Sequence, residues 1–178
     1  MTSNPIEATA TWVGALARGG VLMGHEEELG AVLANVVLGP DGLSALRTFF
    51  HDASDAVRER ERRGAIHACI YLAQADREIV PEEVELLMRI IAHSELSPDA
   101  MEHLERAVRV PLSPAEIAEE LTQPGLRELM LALSWQLADA DATLDDGERE
   151  AHRALAEAFG VSDARLEVIR EAVVDVRE

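Results

Sequence analysis

The chain contains no lysine: all 16 of its basic residues are arginine, set against 34 acidic ones, for a formal net charge of −18 over 178 residues. Without lysine there is no Walker A phosphate loop, no pyridoxal-phosphate Schiff base and no lysine general base. The acid excess brings the pI to about 4.6, so long-range repulsion disfavours non-specific binding to nucleic acid or anionic lipid. A single cysteine, Cys69, forms neither an internal disulfide nor a multi-cysteine metal site, which fits a reducing compartment. Aromatic residues make up only 3% of the chain, a poor supply for a β-sandwich. Long apolar runs are missing too. The most apolar stretch, Trp12 to Leu38, is broken by Arg18 and by His25-Glu26-Glu27-Glu28, whereas a bilayer span needs about 20 apolar residues without such a block. The first ten residues lack the basic and apolar segments of a secretory signal. The expectation is a soluble, cytoplasmic protein with no membrane span and no nucleic-acid partner.

Signatures of catalysis are absent as well. None of the histidines has Glu three residues before it, so the di-iron helix motif is missing. His25-Glu26 lacks the second histidine of a zincin, because position 29 is Leu. There is no Gly-x-Ser-x-Gly elbow and no Gly-x-Gly-x-x-Gly loop. Cys69 lies on an apolar stripe with Ile66 and Ile70, where a small buried hydrophobe is expected rather than a nucleophile. His152 shares a helix face with Glu148 and is expected as a half-buried neighbour of Leu155 and Phe159. The chain is not expected to be an enzyme.

What is present is helix. Apolar residues, mostly Ala, Leu and Val, make up 48% of the chain, and they recur at helical spacing: Ile66, Cys69, Ile70 and Ala73, then Val84, Leu87, Met88 and Ile91, then Leu126, Leu129, Met130, Leu133 and Leu137. Pro81, Pro98, Pro114 and Pro124 each suit a first helical position, with Ser97 and Ser113 as N-caps and Ser113 with Glu116 as a capping box. The pattern predicts helices near 5–17, 21–38, 42–53, 55–75, 81–94, 98–109, 114–121, 124–140, 146–159 and 163–176. Seven of the eleven glycines fall in residues 1–55, which read as a helical N-terminal extension preceding a helical domain over 56–178. The run Arg58-Glu59-Arg60-Glu61-Arg62-Arg63 reads as the solvated face of a long helix.

Shifting the chain by 65 residues lays Leu72-Ala73-Gln74-Ala75-Asp76 on Leu137-Ala138-Asp139-Ala140-Asp141. In both copies an apolar residue follows three positions after the last Asp (Ile79, Leu144) and a Glu seven after it (Glu83, Glu148). Each copy is a helix, a tight acidic turn and a second helix. A hairpin of this kind cannot cover its apolar face alone, so two copies facing each other predict an all-α, pseudo-symmetric bundle.

The second turn holds Asp139, Asp141, Asp145, Asp146, Glu148 and Glu150, opposed only by Arg149; the first holds Asp76, Glu78, Glu82, Glu83 and Glu85, opposed by Arg77. Like charges packed into one turn cost free energy unless a cation or solvent compensates. A hard cation wants six to eight oxygen ligands, and Asp139, Asp141, Asp145, Glu148, Asp76 and Glu83 are the candidate ligands, with Ca²⁺ favoured over Mg²⁺ or Mn²⁺. Helix capping offers a competing reason for part of this set. Asp145 with Glu148 fits a capping box, and acids in a first helical turn gain about 0.3–1 kcal/mol each from the macrodipole. Asp76, Asp139 and Asp141, expected at helix C-terminal ends, have no such reason. The second turn is not an EF-hand: Leu144 stands where that loop needs Gly, and Asp146 where it needs an apolar residue.

The duplicated turn resembles that of the tellurite-resistance TerB-like domain, in which an Ala-Asp-Gly-x-apolar-x-x-x-Glu motif joins paired helices. The resemblance spans about residues 57–176 and rests on Ala75-Asp76 with Ile79 and Glu83, and on Ala140-Asp141 with Leu144 and Glu148. It implies a helical domain, a divalent-cation site built from the motif acids, and a non-enzymatic role as adaptor or sensor in bacterial stress-response or membrane-surface protein complexes. The family's glycine after each Asp is replaced by Arg77 and Ala142, which weakens the first turn in particular as a cation site. The alternative expectation is a metal-independent helical adaptor or self-assembling scaffold, homo-oligomeric through its N-terminal region.

Overall fold

A computed structural model of the chain describes residues 29–75, 81–92, 94, 96–137 and 145–177. Among these residues the regular structure is entirely α-helical: α1 Leu29–Asp52, α2 Asp55–Ala73, α3 Pro81–Ala92, α4 Pro98–Ala107, α5 Pro114–Glu120, α6 Pro124–Leu137, α7 Asp146–Phe159 and α8 Asp163–Arg177. The helix expected near 5–17 and the beginning of the one near 21–38 lie outside the described residues.

The helix boundaries follow from local chemistry. Ser54, Ser97, Ser113 and Asp145 each accept a hydrogen bond from a backbone N–H in the first turn of the following helix. Proline opens α3, α4, α5 and α6, where its missing N–H costs nothing. α1 is two helical segments joined at Gly39, whose φ of 69° and ψ of 172° favour glycine, and Pro40 starts the second segment. α7 ends on Gly160 at φ 71°, and the Val161 N–H reaches back to the Ala156 carbonyl at 3.0 Å in a Schellman closure.

α2 is the central element and packs against α3, α4, α5, α6 and α7. α6 is the second hub, touching α2 and α7 on one side and α1 and α8 on the other. The core runs continuously through Leu33 and Leu46 of α1, Ile66 and Ile70 of α2, Leu104 of α4, Ile117 of α5 and Leu129 and Met130 of α6, each less than 2% exposed. The described part of the N-terminal extension is thus packed into the same core as the two hairpins.

The Arg58–Arg63 run is not a solvated face; it clasps neighbouring elements. Glu61 is fully buried and accepts the backbone N–H groups of Thr122 (2.9 Å) and Gln123 (3.0 Å) as well as the Thr122 hydroxyl. A carboxylate from α2 thereby caps the start of α6, where the helix dipole favours an anion. Glu59 accepts the Ser97 hydroxyl at 2.8 Å, and Arg63 reaches Glu120 at 3.0 Å. Helical spacing alone puts these charges on one helix; three-dimensional packing turns them toward α4, α5 and α6.

Candidate functional site

Of the six acids singled out in the turns, Asp76, Asp139 and Asp141 lie outside the described residues. Glu83 is on α3, and its side chain is likewise outside the described part. Asp145 and Glu148 are brought together as a reciprocal cap: the Glu148 N–H donates to Asp145 Oδ1, and the Asp145 N–H donates to Glu148 Oε2, both at 2.8 Å. This is the capping arrangement that their spacing allows, and it engages one oxygen of each.

The flanks of the two turns meet. A Cβ built on Gly147, in the first turn of α7, would stand 2.9 Å from the Ala75 carbonyl oxygen at the end of the α2 segment. Real Cβ atoms are not found that close to an oxygen, so glycine at 147 is what lets α7 start against the last residues of the first hairpin's leading arm. Ala75 immediately precedes Asp76, and Gly147 lies between Asp145 and Glu148.

A second constellation was not visible in the sequence. His67 on α2, His103 on α4 and Glu120 at the end of α5 offer ligand atoms that all lie within 4.8 Å of one another. His67 is only 1% exposed, yet neither of its ring nitrogens has a hydrogen-bond partner among the described residues. Its Nε2 is 3.5 Å from Glu120 Oε2, which is itself buried and without a partner; an N–H···O bond would be about 2.7–3.2 Å. The other Glu120 oxygen, Oε1, is held by Arg63 at 3.0 Å. The His103 ring stands edge-on to His67, centroids 5.2 Å apart. Burial pushes the His67 pKa down to about 3, with His103 and Arg63 adding to the effect and Glu116 opposing it. The ring is therefore neutral at physiological pH and retains a lone pair. Leaving a buried polar atom unbonded costs about 1–3 kcal/mol.

Gly64, one turn before His67, makes this approach of α5 possible. A Cβ there would lie 2.7 Å from the Leu121 nitrogen and 2.9 Å from the Glu120 carbonyl carbon. The only local signal for the cluster was a histidine inside the otherwise apolar run Ala65–Ile70.

Two further buried reactive side chains, His152 and Cys69, each have a neighbour. His152 is buried with its Nε2 3.2 Å from the Leu131 carbonyl and its ring 4.2 Å from that of Trp135. Because a carbonyl accepts, Nε2 carries the proton. Burial lowers the His152 pKa to about 4. Cys69 is buried with its Sγ 3.9 Å from Met130 Sδ, and burial raises the thiol pKa to about 12, so it is no nucleophile at neutral pH.

Comparison with known families places the chain. Residues 6–173 match the family model described as "Protein of unknown function (DUF533)". The chain belongs to the DUF533 family. The match covers α1 as well as the helices of both hairpins. No curated protein and no solved structure matches it. Among the described residues of this DUF533 member, no helix is long and apolar enough to cross a membrane.

Proposed function

We propose that the chain is a non-enzymatic, TerB-like adaptor or sensor module in which a divalent cation bridges the two acidic inter-helix turns. The observation that carries this reading is the contact of Gly147 with the Ala75 carbonyl, since it sets the flanks of the duplicated turns against each other. A cation between them would draw on Asp139, Asp141, Asp145 and Glu148, with Asp76 and Glu83 from the first copy. The all-helical fold and the DUF533 membership are compatible with the TerB resemblance of the motif residues. The function that follows is binding to a protein partner in the cytoplasm, with a membrane-surface stress-response complex as the proposed setting.

Thermal melting with excess EDTA, Ca²⁺, Mg²⁺ or Mn²⁺ at matched ionic strength tests the reading. A ligand at 100 times its dissociation constant raises stability by about 2.7 kcal/mol, and Asp141→Asn should abolish more of that gain than Asp76→Asn. If no ion raises the melting temperature, the metal-independent adaptor or scaffold is favoured instead; exposed Val32 and Val36 on α1 supply apolar surface for that role.

A further inference from the structure

We propose that His67, His103 and Glu120 form a binding site for a borderline divalent transition-metal ion of the Zn²⁺ class, separate from the acidic turns. Two neutral imidazoles and one carboxylate match a three-ligand zinc site whose fourth position is left to water. A tetrahedral ion with bonds near 2.0–2.1 Å holds its ligand atoms about 3.3 Å apart. His67 Nε2 and Glu120 Oε2 already stand at 3.5 Å, and all three ligand atoms fit within 4.8 Å. Small rotations of His103, which is partly exposed, close the remaining gap.

The argument rests on what these atoms lack as much as on their spacing. Two nearby buried polar atoms, His67 Nε2 and Glu120 Oε2, have no hydrogen-bond partner among the described residues and stand 3.5 Å apart. Interiors satisfy their polar atoms almost without exception, so two orphans side by side call for a third body. A direct Nε2–H···Oε2 bond does not fill this role, since 3.5 Å exceeds the length of such a bond, about 2.7–3.2 Å. Arg63 on Glu120 Oε1 fixes the carboxylate so that Oε2 turns inward. Histidine nitrogens select this ion over Ca²⁺ or Mg²⁺, which prefer all-oxygen shells. Bound there, the ion would tie α4 and the end of α5 to the central helix α2.

The experiment uses the full chain, freed of metal, in buffer with millimolar Ca²⁺ and Mg²⁺ to saturate any oxygen-ligand site. Zn²⁺ is titrated by calorimetry, and Co²⁺ is followed by its visible d–d absorption. The expected result is one Zn²⁺ per chain and a tetrahedral Co²⁺ spectrum. Loss of an outer partner typically weakens a metal site about 10–100-fold, so removing a ligand with His103→Ala or Glu120→Gln should weaken it by about 100-fold. His103→Ala should melt as the parent does in EDTA, with His103→Gln in its place if the alanine variant is unstable. Glu120→Gln also loses the charge paired with Arg63, so its affinity is read only under conditions where it is folded. Asp141→Asn should leave Zn²⁺ affinity unchanged. The proposal is overturned if Zn²⁺ does not bind, if binding survives both ligand substitutions, or if it is lost in Asp141→Asn but not in His103→Ala. Because the turns are read with Ca²⁺ and this site with Zn²⁺, either can fail without the other.

Discussion

Two buried histidines, His67 on α2 and His152 on α7, sit in corners of the bundle built on different plans. Around His152 the corner formed by α6 and α7, covered by α1 and α8 beyond α6, pairs its polar groups with backbone. The imidazole meets the Leu131 carbonyl at 3.2 Å, and its ring packs on that of Trp135. Around His67, where α2, α4 and α5 converge, Glu61, Glu59 and Arg63 are engaged, while His67 and one oxygen of Glu120 are not. A satisfied buried histidine is architecture. An unsatisfied one beside an unsatisfied carboxylate marks a place where the fold has kept bonding capacity in reserve.

The largest expected effect concerns what each corner needs from outside. Starting the chain at Asp55 removes Leu33, Ala34, Val37, Leu43 and Leu46 from the core. Each large one is worth about 1.5–3 kcal/mol, against a total stability of about 5–15 kcal/mol for a typical domain. Cooperative melting by far-UV dichroism should be lost, and α6 and α8, on which α1 packs, should lose amide protection before α4 and α5. If the shortened chain melts like the full one, residues 1–54 are the separable extension that the distribution of glycines suggests.

Next in size is Glu61→Ala. It strips the start of α6 of a buried carboxylate that holds two backbone N–H groups, at an expected cost of about 3–5 kcal/mol in urea unfolding. Arg127→Met frees the carbonyls of Ala118, Leu121 and Phe159, the last two on buried residues, so about 1–3 kcal/mol is expected. Equal losses would show that a buried carboxylate on two amides is worth no more than a guanidinium on three carbonyls.

The pH dependence of stability isolates His152. Its folded pKa of about 4 lies below the unfolded value of about 6.5. As pH falls through that window the unfolded chain takes up a proton that the folded chain refuses, so stability is lost on acidification, at about 1.4 kcal/mol per pH unit. Comparing the parent with His152→Leu between pH 6 and 4, the variant's slope should be shallower by about that amount, whatever its absolute stability. Most local is Gly64→Ala. Its Cβ would press on the Leu121 backbone, costing about 1–3 kcal/mol and, by pushing Glu120 away from His67, weakening the cluster more than the fold.

How much of this was legible beforehand depends on how far apart the interacting residues lie. Ser97, Ser113 and Asp145 were readable as caps because a cap and its helix are contiguous, and the break at Gly39-Pro40 likewise. Cys69 read correctly as a buried hydrophobe from its stripe. Glu61 did not, because an acid inside Arg-Glu-Arg-Glu-Arg-Arg carries no local mark of the loop that will cover it. The same holds for His67, His103 and Glu120, which belong to three helices and meet only after α4 and α5 have folded back on α2.

The reach of Glu61 has a consequence for how the molecule opens. Its carboxylate belongs to the first hairpin, and the amides it holds, those of Thr122 and Gln123, stand at the threshold of the second. For those amides to meet water, either α6 must leave or a charge must be dragged out of the interior with no replacement waiting for it. Neither is a small fluctuation, so the two repeats are expected to come apart together. Thr122 and Gln123, at the edge of a helix where fraying is normally fastest, should then be among the slowest amides to exchange, their rates set by unfolding of the whole chain.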